Sequence, residues 1–222
     1  MVDFTLTDEQ KDIQAMAHDF AENEIRPKAW EYDRDGTWPK EIFEKAWELG
    51  LMNNHAPAEY GGPGLDYLTG ALIEEEISWG CSGIGTSLGA NGLATAPLAL
   101  GGSEELQKKY FGMLTEAPLY ASFCLTEPDA GSDVSGMKTT AVKKGDKYVI
   151  NGSKCFITNG SYASFYTVYA KTDKEAGHRG ISAFIVDRDL PGVTVDKKEG
   201  KLGQRASNTA TISFSDVEIP AE

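Results

Sequence analysis

The sequence predicts an α+β protein, with a helical region first and a region of short strands after it. Three observations carry that expectation. Apolar residues recur at helical spacing behind capping residues in the first half. Short aromatic and β-branched runs, divided by turn pairs, fill the second. The change falls near Pro118, so regions of a single character occupy residues 1–116 and 117–222. The chain has 222 residues, 41% of them hydrophobic and 25% charged, the balance of a soluble globular protein. That length supports a core without disulfides or metal.

Thr7-Asp8-Glu9-Gln10 reads as a capping box, and Ile13, Met16, Ala17 and Phe20 continue at helical spacing. Pro39 opens a second helix with Ile42, Phe43, Ala46 and Trp47 on its apolar side, and Gly50 stops it. A Gly/Pro loop follows through Gly64. Asp66 caps a third helix through Leu72, Ile73 and Ile77. Residues 77–103 carry no charge, a length that would cross a bilayer. Their Ser78, Ser82, Thr86, Ser87, Asn91, Thr95 and glycines predict a buried, closely packed helix and no membrane span. Ser103-Glu104-Glu105 starts a fifth helix with acids in its first turn, where the helix dipole favours them.

Beyond Pro118 the expected strands are Lys138–Lys144, Lys147–Ile150 and Lys154–Thr158, divided by Gly145-Asp146 and Asn151-Gly152, with Asn159-Gly160 closing the set. Ser164–Thr172, Gly180–Asp187 and Gly192–Asp196 continue the series. Ala210, Ile212 and Phe214 then alternate with Thr211, Ser213 and Ser215, as in a half-buried strand.

Composition excludes several classes. A net charge of −13, from 21 basic and 34 acidic residues, argues against a nucleic-acid binder. Cys81, Cys124 and Cys155 form no CxxC pair, and His18, His55 and His178 are scattered, so neither a disulfide framework nor a metal site is expected. The start has no basic or apolar leader and contains acids without arginine. This predicts a cytoplasmic protein rather than a mitochondrial precursor, with a mature mitochondrial chain left open.

The densest chemistry lies in residues 124–136, where small residues, hydroxyls and free backbone N–H groups could hold a polar ring edge or a phosphate. By residue type alone this is one turn-rich loop, and a structural role is as open as a binding one.

Leu125-Thr126-Glu127-Pro128 followed by Ala130-Gly131-Ser132-Asp133 resembles the signature of acyl-CoA dehydrogenases. So do Ile150-Asn151-Gly152-Ser153-Lys154 with Phe156-Ile157-Thr158-Asn159-Gly160, and Lys201-Leu202-Gly203-Gln204-Arg205-Ala206-Ser207. The opening Leu6-Thr7-Asp8-Glu9-Gln10 and Glu59-Tyr60-Gly61-Gly62 match as well, all in family order across nearly the whole chain. The resemblance implies a helical N-terminal domain and a middle β-barrel domain, FAD at the barrel, and α,β-dehydrogenation of an acyl-CoA to a trans-2-enoyl-CoA. It also implies electron-transferring flavoprotein as acceptor and a homo-oligomer, tetramer or dimer.

Residue by residue, the resemblance places Phe123, Leu125, Thr126, Gly131 and Ser132 against the flavin, with Thr126 at its ring edge. Phe156, Ile157 and Thr158 match the segment on the other side. Ser132 and His178 match CoA contacts, and Lys174 and Arg179 could attract its phosphates. Many members have Tyr at position 123 and Trp at 156, so the polar tips of those rings are absent from this chain. Glu127 reads as a structural loop carboxylate, and Cys124 and Cys155 as small core residues. Gly85 and Gly89 lie on a helix that resembles the floor of the acyl pocket, where they would leave room for a longer or bulkier acyl group. The family's catalytic carboxylate comes from beyond residue 222, so this chain alone is expected to be inactive. Two alternatives stay open: a non-catalytic flavin- or acyl-CoA-binding subunit of a heteromeric enzyme, and a fragment of an acyl-CoA oxidase.

Overall fold

A computed structural model describes residues 5–221, which form two compact units. The helical unit takes in the chain up to Gly92, then Glu104–Pro118 and Lys201–Ser207. Its first helix, α1 (Asp8–Phe20), begins at the predicted capping box, with Thr7 and Gln10 exchanging hydrogen bonds of 3.1 Å. The helix does not stop at Phe20. It passes through a π turn, Ala21–Ile25, into α2 (Arg26–Asp35). Pro27 sits in the first turn of α2 and has no N–H to give. The wider turn before it absorbs that interruption, which a reading of Pro as a breaker does not anticipate.

Helix α3 (Lys40–Glu48) follows Pro39 and ends at Leu49-Gly50, with Gly50 at φ 71°. Helix α4 (Tyr67–Gly80) starts at Asp66, whose side chain accepts from the N–H groups of Leu68 and Thr69. Its buried residues Thr69, Ile73, Ile77 and Gly80 form one stripe. A side chain at Gly80 would meet Ile25 and Ala21 at 3.0–3.1 Å, so glycine lets the π turn approach. Cys81 is extended and separates α4 from α5 (Ser82–Gly101), so the charge-free segment is the end of one helix and the whole of another. No helix among the described residues is long and apolar enough to cross a membrane. Helix α6 (Glu104–Glu116) opens with the two expected acids. The segment 201–207 is anchored in this unit by Arg205, which binds Asp33 through its own N–H and through Nε at 2.6 and 2.9 Å.

The second unit holds Leu93–Ser103, Leu119–Gly200 and Asn208–Glu222. Its strands are β1 (Ala121–Cys124), β2 (Thr140–Lys144), β3 (Lys147–Thr158), β4 (Phe165–Lys171), β5 (Ile181–Asp187), β6 (Val193–Lys198) and β7 (Thr209–Pro220). They form one mixed sheet in the order β1-β4-β2-β3-β7-β6, with β5 paired to β4. The β1–β4 ladder is parallel and the β3–β7 ladder antiparallel. The sheet curls through 274° into an open half-barrel, so the expected barrel is not closed. The edge strand β6 ends in exposed Asp196, Lys197 and Lys198, and charge on a free edge discourages further pairing.

A second expectation is also corrected. Asn151-Gly152 is no hairpin turn, because β3 runs straight through it. Gly152 sits at φ 154° beside a register shift, and Asn151 exchanges hydrogen bonds with Asp216 of β7 across the bulge. Gly145-Asp146 is the two-residue turn between β2 and β3, with Gly145 at φ 66°. The core of this unit is built from Cys124, Ile150, Ile157, Tyr166, Val168, Val186, Ile212 and Phe214.

Candidate functional site

The loop that leaves β1 is held from below by a buried ion pair. Lys154 Nζ lies 2.7 Å from Glu127 Oε1 and donates to the Leu125 carbonyl at 3.0 Å. Glu127 also accepts the N–H groups of Lys138 (2.6 Å) and Thr139 (3.1 Å). Burial pushes the Glu127 carboxyl up, but the Lys138 N–H, the Lys154 ammonium and the Thr139 contact outweigh it and hold it below its ordinary range. Burial lowers the Lys154 ammonium against the pull of Glu127. Both Glu127 oxygens are thus committed to holding the loop.

Further contacts shape the same loop. Glu127 and Ala130 exchange backbone hydrogen bonds of 3.0 and 3.1 Å around Pro128-Asp129. Asp133 caps a 3-10 turn, Val134–Gly136, through Ser135, whose hydrogen bonds lower the Asp133 carboxyl. The Thr126 carbonyl accepts the Cys155 N–H at 2.9 Å, which ties the loop to β3. Among the described residues the hydroxyls of Thr126 and Ser132 make no protein hydrogen bond. Gly131 and Ser132 are exposed, and a side chain at Gly131 would meet open space.

The structure places the predicted residues in three groups. Leu125 and Thr126, half-buried, follow β1 directly and neighbour the β3 segment through the Thr126–Cys155 bond. In that segment Phe156 is 66% exposed and left-handed at φ 58°, at a register shift between Lys154 and Ile157. Such a backbone costs about 1–3 kcal/mol, and here it turns a large aromatic ring outward. Ile157 points the other way, into the core, so only its backbone is available to a ligand. Thr158 is half-buried, and its carbonyl accepts the Ser122 hydroxyl at 2.7 Å.

Phe123 lies on the sheet face opposite the core. Its ring meets Tyr169 of β4 at 5.1 Å. Thr167, between them on β4, donates its hydroxyl to the Ala94 carbonyl of α5 at 2.6 Å. Tyr169 was not singled out in the sequence, although its alternation with the buried Val168 and Ala170 was a signal that could have found it. His178 is exposed in the 3-10 turn Gly177–Gly180, with Arg179 beside it and Lys174 shortly before. This turn packs against the Val134–Gly136 turn, which brings His178 to the same end of the sheet as Ser132. Cys124 is fully buried, and burial raises both its thiol and that of Cys155.

In the helical unit Gly85 and Gly89 face α4. A side chain at Gly85 would lie 2.3 Å from Ser78 Oγ, and one at Gly89 would lie 2.9–3.1 Å from the carboxyl of Glu74. Sequence reasoning missed Glu74, which stands in an ordinary acidic run, Glu74-Glu75-Glu76.

Residues 7–117 match the acyl-CoA dehydrogenase N-terminal domain and residues 122–217 the middle domain. The chain belongs to the acyl-CoA dehydrogenase family. A probable medium-chain specific acyl-CoA dehydrogenase 2, mitochondrial, of Caenorhabditis briggsae is 46% identical over 99% of this chain and 54% of its own length. The structure of butyryl-CoA dehydrogenase from Megasphaera elsdenii superposes with a TM-score of 0.93 at 40% identity, over 99% of this chain and 59% of that one. An acyl-CoA dehydrogenase complexed with FAD from Bacillus anthracis superposes at 0.86 with 37% identity, over 100% of this chain and 38% of that one. The chain therefore spans about half the length of the curated relatives it matches.

Proposed function

We propose that this chain binds FAD and an acyl-CoA thioester for an α,β-dehydrogenation that yields a trans-2-enoyl-CoA. The observation that carries the reading is the loop from Leu125 to Gly136. Its acidic and backbone groups are tied down from beneath, while the Thr126 and Ser132 hydroxyls stay open. Gly131 adds to this, since neither its backbone nor its neighbours require glycine there and a closely approaching ligand would.

On this reading Thr126 donates its hydroxyl to the flavin ring edge, with Phe123 and Leu125 lining the same side. Phe156 covers the other side together with the backbone of Ile157 and Thr158. Gly131 and Ser132 continue the cradle, and Ser132 with His178 takes the CoA moiety. FAD supplies a two-electron acceptor that no amino-acid side chain provides. Glu127 is not the base that removes the α-proton, because the Lys154 ammonium and two backbone N–H groups occupy its oxygens. No base for that proton is assigned among the described residues. Electron-transferring flavoprotein is the proposed electron acceptor, a homo-oligomer (tetramer or dimer) the proposed assembly, and the cytoplasm or the mitochondrial matrix the proposed location.

The test is to mix the protein with FAD, desalt it, and record the visible spectrum before and after adding an acyl-CoA. Retained flavin bands that shift with the thioester are expected. Thr126→Val should weaken FAD binding roughly fivefold, the worth of one neutral hydrogen bond. A colourless eluate from folded protein would sink FAD binding by this chain.

A further inference from the structure

Leu125, Thr126 and Glu127, in the loop that leaves β1, are tied to two consecutive residues of β3. Lys154 Nζ donates to the Leu125 carbonyl at 3.0 Å and to Glu127 Oε1 at 2.7 Å. The Cys155 N–H donates to the Thr126 carbonyl at 2.9 Å. Thr126 stands in the middle of this clamp, and among the described residues its hydroxyl makes no protein hydrogen bond. A β-branched side chain has few rotamers, so a backbone fixed on both sides also limits where that hydroxyl points. On the far side of Phe156 the two segments are joined again, where the Ser122 hydroxyl donates to the Thr158 carbonyl at 2.7 Å.

The β3 side of the clamp is the bulge that carries Phe156. In a regular strand residues 154 and 156 would share a face. The left-handed backbone at Phe156, beside the register shift between Lys154 and Ile157, breaks that alternation. Lys154 turns inward to full burial, and the Phe156 ring turns outward, 66% exposed. The lysine is therefore the inner foot of the same bulge that presents the aromatic ring. An apolar pair of similar volume at 127 and 154 would often pack without loss of stability. It would give the Leu125 carbonyl no donor, and the bulge would lose its hold on the loop.

We propose that Lys154 is a positioning residue of the flavin site: through the Leu125 carbonyl and Glu127 it sets the direction of the Thr126 hydroxyl and fixes Thr126 relative to Phe156. This rests on the reading that Thr126 and Phe156 hold FAD. The ammonium is enclosed by protein and touches no ligand itself. Its effect on FAD passes through Thr126, so the two residues should act as one unit and their substitutions should not add. A lysine that only stabilised the fold would leave the contribution of Thr126 unchanged.

The experiment is a double-mutant cycle on the full chain, read as the FAD dissociation constant from flavin fluorescence and as the position of the bound flavin's visible bands. The four proteins are the parent, Thr126→Val, Lys154→Met and the two combined. Thr126→Val alone should weaken FAD about fivefold, and Lys154→Met should do so at least as much. The combination should bind no more weakly than Lys154→Met, and both single variants should shift the flavin bands in the same direction. Lys154→Met with Glu127→Gln removes both charges and serves as the background if the single lysine variant does not fold. A Thr126→Val penalty that stays about fivefold in either lysine-free background overturns the assignment alone. So does a folded Lys154→Met protein that binds FAD as the parent does. A parent that binds no FAD, or one whose affinity ignores Thr126→Val, overturns the flavin reading of Thr126 and the assignment together.

Discussion

Glu127 is a buried carboxylate and Glu74 a half-buried one, and their environments are opposite. Glu127 in the strand unit is met by an ammonium and two backbone N–H groups, and its carboxyl lies below its ordinary range. Glu74 in the helical unit has no partner and lies far above it. Burial acts on both in the same direction, so the contrast comes from the donors each one finds. The paired acid fixes the backbone of a loop. The unpaired one does nothing for the fold that a neutral residue would not do better. Only the first has a complete structural explanation.

The largest effect should come from breaking the paired side. Glu127→Ala leaves the Lys154 ammonium buried without its counter-charge, which should cost about 3–5 kcal/mol in denaturant unfolding. Replacing both partners, Glu127→Gln with Lys154→Met, should recover part of that loss. A single variant as stable as the parent would remove the pair from its structural role.

The opposite sign is expected at Glu74. Its carboxyl is raised in the folded state, so the folded protein holds a proton that the unfolded chain releases. Stability falls as pH rises from the unfolded value of 4.5 to about 7. Relative to the parent, Glu74→Gln should therefore gain about 3 kcal/mol on passing from acid to mildly alkaline pH. Parallel stability–pH curves for the two proteins would show that Glu74 is not isolated.

The smallest effect sharpens the comparison along a single helix. Glu76, two residues beyond Glu74, is partnered by His18 at 2.7 Å and Gln14 at 2.9 Å. The hydrogen bond to Glu76 raises the His18 imidazole above 6.5. This contribution is complete below 6.5 and disappears as pH rises through the raised value. His18→Gln should remove that slope with little change at high pH, measured by thermal unfolding across the neutral range. The same helix would then carry one carboxylate that favours folding below neutrality and another whose cost emerges above acid pH.

Much of the frame was legible because its determinants are local. The Thr7–Gln10 box, the Asp66 cap and the Gly50 stop each act over a few residues and lie where the sequence placed them. The strand half was legible from turn pairs and alternation, and the loop from residues 125–136 from its motif. What escaped depends on distant partners. The π turn before Pro27 is accommodated by Gly80, far along the chain. Asn151-Gly152 has the composition of a turn, yet Asp216 of β7 pairs across it and keeps β3 running. Sheet closure depends on whether edge strands meet, and periodicity within a strand is silent on that. Lys154 reads as a surface lysine until the fold sets it on Glu127. Glu74 reads as one acid among three until α5 brings Gly89 against it.

The pairing order of the sheet also bears on how the chain is made. β3 gains β2 through a two-residue turn almost as soon as it leaves the ribosome, but its other edge belongs to β7, whose residues are synthesised only after β4, β5 and β6. Until then Val149, Ile150 and Ile157 belong to a strand with one edge unsatisfied. A nascent chain of this topology passes through an interval in which that open edge invites mispairing with its neighbours.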